Sequence, residues 1–214
     1  MKSNLKKYIT VLFTGLLLAG CTDDFEELNT NPVTYSASSF NPNYLLTSAQ
    51  LTYSGSTDFS YETWRGNLIY SSTMMQSFAT TLGYWAGDKY TLNAAYATAY
   101  WDVAYPEQVK PIVDLVELTR DKPQYKNLHN IGRIMRAMIL QRITDLYGDV
   151  PYFEAGMGYY NKSYFPKYDK QQDIYMDILK EYEEATNNLD LAADKPTGDA
   201  MYAGDIAKWK RFGN

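Results

Sequence analysis

The chain is predicted to be all-α, mainly helical, and three observations predict it. Over 127–147 the apolar residues Ile131, Ile134, Met135, Met138, Ile139, Ile143 and Leu146 recur at i, i+3, i+4, i+7, i+8, i+12 and i+15, which is one wide face of a helix. Over 169–189, Ile174, Ile178, Tyr182, Ala185 and Leu189 repeat the same spacing. No segment shows the sustained apolar–polar alternation of a half-buried strand.

The first twenty residues stand apart. Lys2, Lys6 and Lys7 precede the apolar run Ile9 to Leu18, and Leu18-Ala19-Gly20-Cys21 closes it. A basic start, an apolar stretch of about ten residues and small residues at the cut make a secretory signal peptide, too short to span a bilayer. A thiol at the first mature position resembles the lipobox of bacterial lipoproteins, so Cys21 is the expected lipid attachment. Several acyl chains hold a membrane firmly, since each buried methylene adds about 0.8 kcal/mol. Asp23, Asp24, Glu26 and Glu27 follow at once; acids there resemble the export signal of lipoproteins displayed on the outer face of the outer membrane. Residues 21–40, rich in Asn, Ser, Thr and Asp, read as a flexible tether.

The helical part follows over 41–214. Asn41-Pro42 is expected to cap and open a first helix carrying Tyr44, Leu45 and Ala49. A second helix is expected over 58–79, with Tyr61, Trp64, Leu68, Ser72, Met75 and Ala79 on one stripe. Gly83 to Tyr90 then places two glycines around an aromatic pair, which marks a loop. A third helix starts near Asn93, carries Tyr96, Tyr100, Trp101 and Tyr105, and runs to about Thr119; Pro106 and Pro111 should bend or divide it, each lacking an amide donor. The 127–147 helix is expected to stop at Tyr147-Gly148-Asp149-Val150-Pro151. A long loop over 149–167 holds six aromatic residues. The next helix is expected to begin at Asp169, with Gln172 completing a capping box, and Asp205 to Asn214 looks like one more.

Composition narrows the function. The formal charge of the 214-residue chain is −5, and removing the leader's three lysines makes the mature chain more acidic. That argues against nucleic acid, which requires basic surface. With Cys21 committed to lipid and His129 the single histidine, no disulfide, zinc–cysteine site or two-imidazole mechanism can be built, and no cofactor or metal is expected. His129 reads as a surface or capping residue. Aromatic residues make up 15% of the chain, 21 of them tyrosines. These rings serve packed helices or stack on sugars and peptide side chains. Rings in a loop are harder to explain by core packing than rings on a helix. Tyr84, Trp85, Tyr90 and Asn93, loop aromatics with a nearby amide, are the candidate ligand-binding residues, the alternative being that they pack onto a further part of the protein or onto a partner; Trp64, Tyr100 and Trp101 are assigned to the core. Arg133 and Arg136 suit a solvated face or an internal salt bridge better than a carboxylate grip. Asp145 and Asp149, at a helix end, are explained by capping rather than as the paired carboxylates of a glycoside hydrolase.

Several segments together resemble the SusD/RagB family of nutrient-binding outer-membrane lipoproteins. They are the lipobox at Cys21, Glu27-Leu28-Asn29, Trp64-Arg65 with Gln76, Gly87-Asp88-Lys89-Tyr90, the Arg133-to-Pro151 helix, Pro166-Lys167-Tyr168-Asp169 with Gln172-Asp173-Ile174-Tyr175, and Tyr202-Ala203-Gly204-Asp205 leading to Trp209-Lys210-Arg211-Phe212-Gly213-Asn214. The resemblance implies a SusD-like α/α superhelical architecture of tetratricopeptide-like helix pairs, into which 127–147 and 169–189 fit. Family members are usually more than twice this length, so 41–214 is expected to be the N-terminal part of such a domain, truncated. It further implies a binding protein rather than an enzyme. Such a protein is lipid-anchored at the outer membrane and captures oligosaccharides, or alternatively peptides, for a partner SusC-like TonB-dependent transporter by lid closure. A structural scaffold and a glycoside hydrolase are the competing classes.

Overall fold

The computed structural model describes residues 40–54, 64–83, 86–162 and 164–214. Cys21, the expected leader and, apart from Phe40, the expected tether lie outside them. Pro42–Asn214 forms one unit, built from five main helices: α1 Asn43–Ser54, α2 Lys110–Thr119, α3 Lys126–Tyr147, α4 Gln171–Asn188 and α5 Ile206–Gly213. Among the described residues there is no sheet, only an isolated antiparallel bridge between Val150 and Asp169. The all-α expectation holds.

Helix α3 is the centre of the layer. It packs between α2 and α4, while α1 lies against α2, and α5 lies against α4 and α3. Of the expected apolar face Ile131, Ile134, Met135, Ile139 and Ile143 are buried, Met138 and Leu146 partly so, and burial extends round the helix to Gly132, Ala137, Leu140 and Thr144, because neighbours on both sides cover it. Thr144 is fully buried, and its hydroxyl donates to the Gly148 carbonyl at 2.6 Å. Each large aliphatic side chain buried in this way contributes about 1.5–3 kcal/mol. Gly148, at φ +76°, donates its amide to the Thr144 carbonyl at 2.7 Å and ends the helix as expected.

The start of α3 has a cap that arrives from far along the chain. The Asp194 carboxylate accepts from the Asn127 and Leu128 amides at 2.7 and 3.1 Å. Asn127, fully buried, donates its amide nitrogen to the Asp190 and Asp194 carbonyls and accepts from the Asp190 amide. A carboxylate at a helix N-terminus satisfies orphan donors and favours the helix dipole.

Four expectations are corrected. Of the helix expected over 58–79, residues 58–63 lie outside the described residues; the rest is a π-helical run Trp64–Ser71 continuing through Ser72–Met74, where the chain turns. The third helix is broken at Thr98, where no break was expected, and is divided around Pro106, as expected, by a π-helical run, Ala104–Val109. Pro106 sits inside that run, where a widened turn absorbs the missing donor, and Pro111 is the second residue of α2. Helix α4 begins at Gln171, not Asp169. Asp169 is turned inward, accepting from the Tyr152 and Phe153 amides at 3.1 and 3.0 Å. Asp149 supplies the cap by accepting from the Gln171 amide at 3.0 Å. Finally, the 149–167 connection is not structureless: it contains a helical turn, Gly158–Asn161, and Tyr152 anchors it by donating to Asp177 at 2.8 Å.

Candidate functional site

The expected ligand residues fall on the segment between the first π-helical run and the helical turn Ala94–Ala97. Tyr84 and Trp85 lie outside the described residues. The 3₁₀ turn Ala86–Lys89 follows them, and Tyr90 closes it by donating its amide to the Gly87 carbonyl at 3.0 Å. Tyr90 is 66% exposed and has φ +54°. Asn93, half-buried, caps the Ala94–Ala97 turn by accepting from the Tyr96 amide at 3.3 Å, which is the local role asparagine favours. Beneath this turn the Arg65 guanidinium lies 5.5 Å from the centre of the Tyr96 ring.

The turn is tied to the chain before it. Asp88 accepts from the Thr80 amide at 3.1 Å and from Lys89 at 3.0 Å. The Thr80 amide, then Lys89, hold its carboxyl below the usual aspartate range. Along the same stretch Met75, Phe78, Leu82 and Leu92 are exposed, as is Leu68 in the π-helical run before it. The result is a polar-braced loop cluster with an apolar and aromatic outer surface, suited to stacking against C–H patches or side chains.

A second aromatic group links this region to the helical layer. Trp101 meets Tyr105 and Tyr147 edge to face, with centroids 5.0 and 5.1 Å apart, and lies nearly parallel to Tyr168 at 6.1 Å. Tyr147 donates to the Ala97 carbonyl at 2.8 Å and accepts from the Trp101 amide at 3.0 Å. Tyr100 is buried as expected and donates to Gln108 at 2.8 Å. Burial pushes its phenol up to about 12, against the nearby Arg142 guanidinium. Trp64 and Trp101 are half-buried rather than fully so.

The SusD-like family model, described as starch-binding associating with outer membrane, matches residues 34–214. The chain belongs to the SusD-like family. Among solved structures, a chitin-binding protein is 38% identical with a TM-score of 0.73, covering 81% of this chain and 36% of its own. A SusD-like protein from Bacteroidetes is 28% identical with a TM-score of 0.69, covering 81% of this chain and 31% of its own. A SusD/RagB family protein from Bacteroides thetaiotaomicron is 25% identical with a TM-score of 0.60, covering 82% and 36%. The chain thus spans about a third of the length of these structures. No curated protein matches the sequence.

Within this SusD-like chain the remaining candidates have structural partners. Arg133 pairs bidentately with Glu181, at 3.1 and 2.7 Å, and reaches Glu184 at 2.9 Å, while Arg136 meets Glu181 at 3.0 Å. Burial alone would raise the Glu181 carboxyl; Arg133 and Arg136 outweigh it and hold it below its ordinary value. Asp145 accepts from Tyr175, and Asp149 binds Lys170 at 2.6 Å besides capping α4. His129 is neither surface nor cap: it is half-buried, with Nδ1 3.2 Å from both the Val116 carbonyl and the Thr119 hydroxyl. Among the described residues no group of His, Cys, Asp or Glu is placed to hold a metal ion. Sequence reasoning passed over Thr80 and Asp88 as builders of the loop; the signal available was the Gly87-Asp88-Lys89-Tyr90 segment itself.

Proposed function

We propose that this SusD-like chain captures oligosaccharides at the outer face of the outer membrane and passes them, as a closing lid, to a SusC-like TonB-dependent transporter. The diacylglyceryl-modified Cys21 anchors it. Tyr84, Trp85, Tyr90 and Asn93 are the ligand-side residues, with the rings stacking on sugar faces and the amide bonding hydroxyls. Closure is a population shift driven by contacts that the ligand makes only in the closed state. The observation that carries this reading is the 38% identity to a chitin-binding protein across 81% of this chain, with the family match over residues 34–214 beside it. A binding role without catalysis agrees with Asp145 and Asp149 being engaged by Tyr175, Lys170 and Gln171.

The test is calorimetry with chito- and malto-oligosaccharides, together with incubation followed by a reducing-end assay. Saturable heat that is lost in Tyr90→Ala, without new reducing ends, supports capture. New reducing ends would overturn it in favour of a hydrolase. Co-purification of the membrane-anchored form with an outer-membrane barrel tests the transporter. A second reading, a peptide ligand, is favoured by the exposed apolar side chains of Met75, Leu82 and Leu92 on the same stretch of chain as Tyr90; titration with mixed peptides under the same conditions separates the two.

A further inference from the structure

The loop cluster holds two non-glycine residues in the left-handed region, Gln76 at φ +58° and Tyr90 at φ +54°. Side chains uncommonly take that conformation. Gln76 takes it where the Ser72–Met74 turn ends, its own backbone amide donating to the Thr73 carbonyl and the Ser77 amide to the Ser72 carbonyl, each at 2.9 Å, the bonding that closes a helix. Side-chain bonds across the loop hold it further. Here the bonds are visible. The Gln76 amide nitrogen reaches across the loop to the Asp88 carbonyl at 3.1 Å and back to the Thr73 carbonyl at 3.3 Å. The two Asp88 carboxylate oxygens divide between the Thr80 amide and Lys89, and Lys89 also donates to the Thr80 carbonyl at 3.3 Å. Two strands of loop, 76–80 and 87–90, are therefore clamped side by side, and Tyr90 leaves the clamp at once.

Gln76 and Lys89 are exposed, whereas the Asp88 side chain between them is only 10% exposed. Exposed hydrogen bonds and ion pairs add little to global stability. Fixing the backbone beneath an exposed ring is a different matter, because a ring held in its bound position need not be ordered when ligand arrives. We propose that Gln76 and Asp88 are positioning residues that set Tyr90 for ligand without touching it. The proposal rests on the reading of Tyr90 as a ligand contact.

The experiment compares the 214-residue chain with Tyr90→Ala, Asp88→Ala, Asp88→Asn and Gln76→Gly, measuring affinity for chitohexaose by calorimetry and the melting temperature of each. Gln76→Gly is the informative variant, since glycine relieves the left-handed strain while deleting the clamp. Expected are a melting temperature unchanged or raised in Gln76→Gly together with binding weakened by about tenfold, the scale of lost preorganisation. Asp88→Ala should match it, and Asp88→Asn, which keeps an acceptor for Thr80, should recover most of the affinity. Wild-type affinity in Gln76→Gly and Asp88→Ala alongside lost binding in Tyr90→Ala overturns the positioning role and leaves the site standing. Wild-type affinity in Tyr90→Ala, or no binding by the wild type to chitohexaose, malto-oligosaccharides or mixed peptides, overturns the ligand reading and this proposal with it.

Discussion

Gln50 and Asp199, 149 residues apart, are joined by a 2.7 Å hydrogen bond from the Gln50 amide nitrogen to the Asp199 carboxylate. The Gln50 carbonyl oxygen accepts in turn from the Ala200 amide at 2.7 Å. One turn and two turns back along α1, Thr47 donates to the Gly198 carbonyl and Asn43 accepts from the Thr197 amide. Asn43, Thr47 and Gln50 thus form a polar seam that grips 197–200. The other Asp199 oxygen accepts from the Gly204 amide at 2.9 Å and from the buried Trp209 indole at 2.8 Å. One carboxylate therefore connects the first helix to the last.

Asp199→Ala should lower unfolding free energy by about 3 kcal/mol in urea titration, because it leaves several buried donors without an acceptor; Asp199→Asn should cost less. Although burial opposes its charge, the Trp209, Gly204 and Gln50 donors hold the Asp199 carboxyl below its ordinary value. The stabilisation is present above the unfolded-state value and is lost as pH falls through the folded one. The stability difference between wild type and Asp199→Asn should therefore shrink on acidification below pH 4.

The turn that feeds this carboxylate is equally constrained. A Cβ on Gly204, at φ +76°, would meet the Pro196 carbonyl oxygen at 2.7 Å. Gly204→Ala is expected to destabilise by about 2 kcal/mol. Its neighbour Ala203 has φ +52°, and Ala203→Gly should stabilise by about 0.5 kcal/mol as relief of strain exceeds the added unfolded-state entropy. Chemical denaturation of both variants checks the opposite signs.

Glu181 pairs with both Arg133 and Arg136 at the α3–α4 contact, Glu184 supplying a second carboxylate to Arg133. Replacing it with Gln should cost about 2–3 kcal/mol, much of it from two cations left short of a partner. Because the folded-state carboxyl is depressed, this contribution is present above pH 4.5 and lost as pH falls through the folded value. A double-mutant cycle with Arg133→Met should return a coupling energy that falls in the same window.

His129 is the one histidine in the chain, so its ring gives a single unambiguous titration by NMR. Its Nδ1 lies 3.2 Å from the Val116 carbonyl, a contact that is a hydrogen bond only in a ring protonated at that nitrogen. Burial, then Arg133, push the ring below the ordinary histidine value of 6.5. The neutral form's stabilisation is full above the unfolded-state value and declines as pH falls below it toward the folded one. A titration midpoint above 6.5 would contradict the buried setting.

The helices were legible in the residue order because burial on a helix imposes a period, and 127–147 and 169–189 carry it plainly. Gly148 was legible as a stop for the same local reason: a left-handed residue followed by Pro151 admits few structures. The π-helical runs were not, since Pro106 announces that a donor is missing without saying whether the chain breaks or widens. Nor was the start of α4 legible. Asp169 and Gln172 have the spacing of a capping box, but the Tyr152 and Phe153 amides compete for the same carboxylate and win. At the candidate site, glycines around rings marked the loop, whereas the clamp of Gln76, Thr80 and Asp88 needed two segments brought side by side.

Local chemistry along the chain was sufficient for the helical class and for the stop at Gly148, because each depends on neighbours within a few residues. The Asp194 cap on α3, the inward turn of Asp169 and the Gln50–Asp199 bond belong to the folded molecule alone. Each pairs a polar group with a partner that only packing supplies, and a buried donor or acceptor takes whichever partner the fold brings within reach.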